Sequence, residues 1–197
     1  MRRKSKKKKR SGRLLFLLIL IGMFASILYL FRQEIPHSIK SLFEKKTILV
    51  KKREVLLYFS DREGEYLIGE KREIFKKNEI KEEAKETIAE LIKGPKGNLL
   101  PTLPARTKVL TLQINDRGMA KVNFNQALSK DHPGGSTAEM MTVYSIVNSL
   151  AFNFPQIKRV QILIDGKPIE TIAGHLSLKQ SIPPKPNLIK RQSKEYI

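Results

Sequence analysis

Three histidines, His37, His132 and His175, are the side chains of this 197-residue sequence best suited to moving a proton near neutral pH. His132 follows Asp131 in a loop that runs through Gly134-Gly135 to Ser136, so a hydroxyl nucleophile beside an imidazole can be drawn there. Two observations oppose that hydrolase reading. No G-x-S-x-G elbow surrounds Ser136. Ser136 with Glu139 three residues on also has the pattern of a capping box, in which the hydroxyl takes the glutamate's N–H and the carboxylate reaches back to the serine's. Asp116, Asp131 and Asp165 could be gathered round a metal, but Asp116 and Asp165 stand in turn sequences where aspartate bonds its own backbone. Gly134-Gly135 ahead of a helix start could hold an anion on free N–H groups, yet the capping box is expected to use donors there. Glu82, Glu83, Glu86 and Glu90 read as a solvated helix face, whereas acid–base work would need them buried. His37 has no ligand set around it. No catalytic residue, metal or cofactor is assigned, and the chain is expected not to be an enzyme.

These groups need elements to hold them. Glu54–Phe59 is a short apolar and aromatic run closed by Ser60-Asp61-Arg62-Glu63-Gly64, which predicts a strand and a turn. Tyr66–Ile68 and Arg72–Phe75 flank Gly69 and predict a second, irregular ribbon. Over Glu79–Lys93, Ile80, Ala84, Ile88 and Ile92 recur at spacing four with Leu91 beside them, and Gly94-Pro95 ends that helix. Lys108–Ile114 and Met119–Phe124 alternate around Asn115–Gly118. They predict a hairpin with Leu110, Leu112, Ile114, Ala120, Val122 and Phe124 on the buried side. A helix capped at Ser136 runs to about Phe152 and is expected to bury Met140, Tyr144, Val147 and Ala151. Arg159–Ile164 turns at Asp165-Gly166 and is expected to return through Ile169–Ile172 as another hairpin. The sum is an α+β domain, a mostly antiparallel sheet with two helices on one face. Thr111, Gln113, Met119 and Lys121 fall on the uncovered face with Val109 and Asn123, and the first four are the expected interaction residues.

Leu14–Phe31 is a run of eighteen residues without a charge. As a helix it spans about 27 Å, close to the ~30 Å hydrocarbon core of a bilayer. Nine basic residues and no acidic one precede it in 1–13, so the positive-inside rule keeps the N-terminus cytoplasmic and exports the rest. The run is longer than the core of a cleaved signal, and Ala25-Ser26-Ile27 lacks the small residue that cleavage needs, so an uncleaved anchor is expected. The absence of cysteine removes disulfides, thiolate metal sites and the attachment point of a lipoprotein. The formal net charge is +19, yet residues 54–177 hold seventeen basic against sixteen acidic side chains. Nucleic acid demands a basic face, so it is excluded as a partner of the domain. The basic residues of 1–13 are assigned to anionic headgroups instead. The layout is a basic cytoplasmic segment 1–13, an anchor 14–31, a linker 32–53, a domain 54–178 and a disordered basic tail 179–197 with Pro183, Pro184 and Pro186.

Several landmarks carry a resemblance: Val55–Phe59 opening the domain, Leu91-Ile92-Lys93-Gly94-Pro95, and Pro104 with Thr107. They continue with Val122-Asn123-Phe124-Asn125, Gly134-Gly135-Ser136 with Glu139, Val160, Ile164-Asp165-Gly166 and Gly174-His175. In this order the chain resembles the sporulation and spore-germination GerMN domain of bacterial envelope proteins over roughly residues 54–178. Arg106 departs from the family's usual glycine. The resemblance implies an extracytoplasmic, non-enzymatic domain, similar in fold to the ring-building motifs of secretion and sporulation channels, without cofactor. The function expected is a membrane-anchored scaffold or interaction domain whose partners are the membrane and an envelope protein or a second copy. The alternative is a module for peptidoglycan or an anionic wall polymer, assisted by the basic tail.

Overall fold

The computed structural model describes residues 10–33 and 51–190, with side chains of 15–30 in the first stretch. His37, most of the linker and residues 191–197 lie outside the described residues. The chain divides into two units, Met1–Leu49 and Val50–Ile197.

In the first unit α1, Arg10–Gln33, is a 24-residue helix on which the large side chains from Leu15 to Leu30 are exposed. Among the described residues no helix is long and apolar enough to cross a membrane. The expected anchor 14–31 is thus seen as a helix and not as a membrane span.

The second unit opens with β1, Lys52–Ser60, and β2, Leu67–Phe75, paired antiparallel without a break from Lys52↔Phe75 to Ser60↔Leu67. The expected irregularity at Gly69 is absent. A Cβ there would come within 2.8 Å of Leu56 Cγ, so the glycine lets a neighbouring side chain lie across a strand that stays regular. Helix α2, Ile80–Ile92, buries Ala84, Ile88 and Leu91 of the expected stripe together with Thr87, while Ile80 is exposed and Ile92 half-buried. Its acidic side is a correction. Glu83 is only 4% exposed, accepting from Arg53 at 2.7 Å and from the Lys77 N–H at 3.0 Å. Glu86 accepts from the Phe75 N–H, and Glu90 pairs with Arg72 and Lys93. Of the four glutamates only Glu82 remains exposed, because the helix lies on a ribbon that presents Arg53 and Arg72.

The other sheet has the order β3-β4-β5-β6, with β3 at Val109–Ile114, β4 at Met119–Phe124, β5 at Arg159–Ile164 and β6 at Lys167–Pro168. β3 and β4 form the expected antiparallel hairpin, and Ala120, Val122 and Phe124 are fully buried. A register shift between Val109 and Thr111 turns Leu110 outward, 40% exposed, and packs Val109 against the core instead. That reverses the expected sides of this pair.

After a single turn α3, Ala127–Lys130, comes α4, Ser136–Ala151. It carries the chain back so that β5 runs parallel to β4, Met119↔Arg159 through Phe124↔Ile164. A parallel neighbour needs such a crossover. The sheet is therefore mixed, and the ribbon β1–β2 stands apart from it. The second hairpin shrinks to a two-residue β6; beyond it Ile169–Ile172 leads into a loop.

Helix α4 packs on β1, α2 and β5 and is buried around most of its circumference, through Met141, Val143, Ile146, Val147 and Leu150. Met140, Tyr144 and Ala151 of the expected face are only half-buried. The polar groups of α4 and the turn after it close the outer edge of β1. Ser149 accepts from the Tyr58 N–H, and Asn153 both accepts from and donates to the backbone of Leu56. The tail is a further correction. Ile182 pairs with Val160, Pro186–Leu188 forms a 3-10 turn, and Leu188 packs with Tyr58, Leu67 and Met141. Lys190 donates its N–H to the Leu67 carbonyl. The prolines do not prevent this docking, because the pairing residues Ile182, Ile189 and Lys190 flank Pro183, Pro184 and Pro186 and keep their own N–H groups.

Candidate functional site

The four expected interaction residues share one sheet face. Thr111, Gln113 and Lys121 are exposed and Met119 is half-buried. The register sets Gln113 beside Lys121, Lys121 beside Gln161 and Met119 beside Arg159. Asn123 on the same face accepts the Gly166 N–H at 2.7 Å, so it serves the β5–β6 turn. Gln161 and Arg159 donate to the backbone of Leu178 and Ser181, which borders the strip with the C-terminal segment. What results is a polar strand surface with one thioether.

The proposed hydrolytic pair is not assembled. His132 Nδ1 accepts the Gly134 N–H at 3.0 Å, and Nε2 lies 3.0 Å from Thr142 Oγ1, which donates to the Thr102 carbonyl. Those roles require a neutral ring with its proton on Nε2. Burial favours that state by pushing the pKa down, against the opposing pull of Glu139 and the Ala138 carbonyl. Both ring nitrogens are thus committed, and neither faces Ser136. Asp131 is held in a fork by Arg106, at 2.9 and 2.6 Å. Arg106 thereby pins the loop. No group of three or more His, Cys, Asp or Glu side chains among the described residues could hold a metal.

The capping box is absent, and its replacement escaped sequence reasoning. Gly135 is the N-cap, at φ 86° and ψ 145°, with no side-chain bond, and Ser136 is the first helical residue. Glu139 is fully buried and turns the other way. Its Oε1 accepts from the Thr171 hydroxyl and from the N–H groups of Ile172 and Ala173 at 2.7 and 3.0 Å. Its Oε2 accepts from those of His175 and Leu176 at 2.8 and 3.2 Å. Burial by itself would raise this carboxyl's pKa; the converging donors outweigh it and lower the value to about 2. Serine followed by glutamate at +3 is the same sequence whichever partner the carboxylate chooses, so no local signal distinguishes the two outcomes.

With Glu139 spent elsewhere, the start of α4 opens into a cleft of about 740 Å³ lined by Ser60, Leu100–Ala105, Pro133–Ala138 and Met141-Thr142. The N–H groups of Ser136, Thr137 and Ala138 have no partner among the described residues. The Gly134-Gly135 anion reading thus regains the donors that the capping box was expected to consume.

A family model, Germane: Sporulation and spore germination, matches residues 56–170, from β1 to just beyond β6. The chain belongs to this family. The Germane domain here also resembles solved structures. The first GerMN domain of the sporulation protein GerM from Bacillus subtilis is 20% identical with a TM-score of 0.54, over 68% of this chain and 98% of that one. A crystal structure of a candidate lipoprotein from Clostridium perfringens is 26% identical with a TM-score of 0.50, over 72% and 95%. The tandem GerMN domains of the same GerM match at 20% identity and TM-score 0.51, over 66% of this chain and 46% of theirs. The GerM likenesses establish the shared α+β fold. No curated protein matches the sequence.

Proposed function

We propose that the chain is a membrane-anchored, extracytoplasmic and non-enzymatic interaction domain of the bacterial envelope, serving sporulation or germination, which docks an envelope protein through the β3–β4 face. The observation that carries this is the strip of exposed Thr111, Gln113 and Lys121 with half-buried Met119, on a sheet whose opposite side is core. Such mixed polar strand surface suits a protein contact. The anchored location is supported by the exposed apolar side chains of α1 behind nine basic residues. It is also supported by the Clostridium perfringens neighbour, described as a lipoprotein. This chain has no cysteine to carry a lipid, so α1 itself is the tether.

The test is Thr111→Glu with Met119→Lys in the native envelope, read by crosslinking and by melting. Loss of the crosslinked neighbour by about tenfold with an unchanged Tm is expected. Normal association by the folded variant would remove this face as the interface. A second reading, a wall-ligand module, is favoured by one observation, the cleft at the start of α4.

A further inference from the structure

We propose that the free edge of β3 pairs antiparallel with the same edge of a second copy of this chain, about a two-fold axis at Leu112. The inference concerns the edge of the sheet and does not depend on the reading of its face.

β3 is the outer strand of its sheet and has β4 on one side only. The Asn115 N–H donates to the Met119 carbonyl at 3.1 Å, which fixes the phase of the ladder. In an antiparallel pair, residues bond across to the partner strand at alternate positions. Asn115, Gln113 and Thr111 therefore turn their backbone groups to β4, and Ile114 and Leu112 turn theirs outward. Nothing among the described residues bonds to the outward N–H of Leu112 or Ile114. Lys85 Nζ donates to the Leu110 carbonyl at 3.1 Å, and that oxygen keeps a second lone pair. An unpaired row of this kind is a template for another strand.

The edge carries its own complement. Antiparallel pairing about Leu112 sets Leu112 against its copy, Leu110 against Ile114, Thr111 against Gln113 and Lys108 against Asp116. Leu110, a large apolar side chain left 40% exposed, gains an apolar neighbour. Lys108 and Asp116 are both exposed and in no ion pair among the described residues, and the two-fold matches them twice. Opposite charges on facing strands are favourable and like charges are not. Moving the axis by one residue destroys the match. About Thr111, Lys108 would meet Ile114; about Gln113, Leu110 would meet Asp116. In the matched register two four-stranded sheets become one continuous sheet. β3 offers only six residues a side, so the association is weak and is best read by covalent capture.

The chain has no cysteine, so an introduced thiol reacts alone. Full chains with Thr111→Cys and full chains with Gln113→Cys are held in dodecylmaltoside micelles and oxidised with copper phenanthroline, separately and mixed. The two positions face each other as a non-hydrogen-bonded pair, with Cα atoms about 4.5 Å apart and within disulfide reach. The mixture should crosslink about tenfold faster than either variant alone, whose thiols are offset by two residues along the strand. Lys108→Glu or Asp116→Lys, added to these chains, should each slow capture by about tenfold. The double exchange should restore it, with Tm unchanged throughout. No capture, equal capture in the mixture and the single variants, or no recovery in the double exchange each overturns the proposal. If a thiol variant fails to fold, sedimentation of the otherwise native chain with the single and double charge exchanges decides it by the same recovery.

Discussion

Five donors converge on the Glu139 carboxylate from residues 32 to 37 positions further along the chain. The carboxyl is lowered from its ordinary 4.5 to about 2, so the folded state binds a proton less readily than the unfolded chain. Its contribution to stability is therefore complete above about pH 4.5 and is lost as the pH falls toward 2. A shift of this size corresponds to about 3 kcal/mol. Glu139→Gln should cost a similar amount at neutral pH, because its amide nitrogen meets N–H groups rather than acceptors. The melting temperature of the variant should also fall less steeply than the parent's between pH 4.5 and 2, the remaining dependence coming from carboxylates such as Glu70 that are also lowered. Ser136→Ala, by contrast, should leave stability within about 0.5 kcal/mol, since no cap bond is removed. Thermal melts of the two variants side by side check both. A loss near 1 kcal/mol for Ser136→Ala would mean that the hydroxyl caps the helix after all.

Alternation and spacing are local properties, and the elements they define were legible. β1, α2, the β3–β4 hairpin, α4 and β5 stand close to where periodicity puts them. Partner choice is not local. Val160, Ile162 and Ile164 alternate identically whether β5 lies parallel to β4 or antiparallel to its own continuation, so only α4 lying between them decides the matter. The bulge at Leu110 was hidden for a related reason, because one extra residue inverts the faces without changing the composition. The glutamates of α2 were misread because spacing shows which residues share a side, not that Arg53 and Arg72 wait there. Gly69 offers the test at this scale. Gly69→Ala should destabilise by about 1–2 kcal/mol by overpacking against Leu56. A variant with unchanged chemical denaturation would show that Leu56 swings aside freely.

For the molecule as a whole the family was legible, since Gly134-Gly135-Ser136 and Ile164-Asp165-Gly166 are turn and cap residues that the fold must supply in a set order. The extent of the domain was not, because Ile182 and Leu188 lie among prolines and lysines that suggest a loose tail, yet both dock on the core. Topology is the prediction that belongs here. Ser177→Cys, at an exposed position, should react with a membrane-impermeant maleimide in intact cells stripped of outer layers. Reaction only after the inner membrane is broken would reverse the orientation. The docked segment has a mechanical consequence. The described chain enters the ribbon at Lys52, opposite Phe75, and Lys190 is fastened beside Leu67 at the ribbon's other end, about 27 Å away. Tension between Lys52 and Lys190 runs through the covalent chain of β1 and the 61–66 turn to Leu67, and crosses to the C-terminal segment at its few contacts with Leu67, Tyr58 and Met141. Those contacts, not the β1–β2 ladder, carry the load, so the segment is a clasp that lets go before the ribbon does.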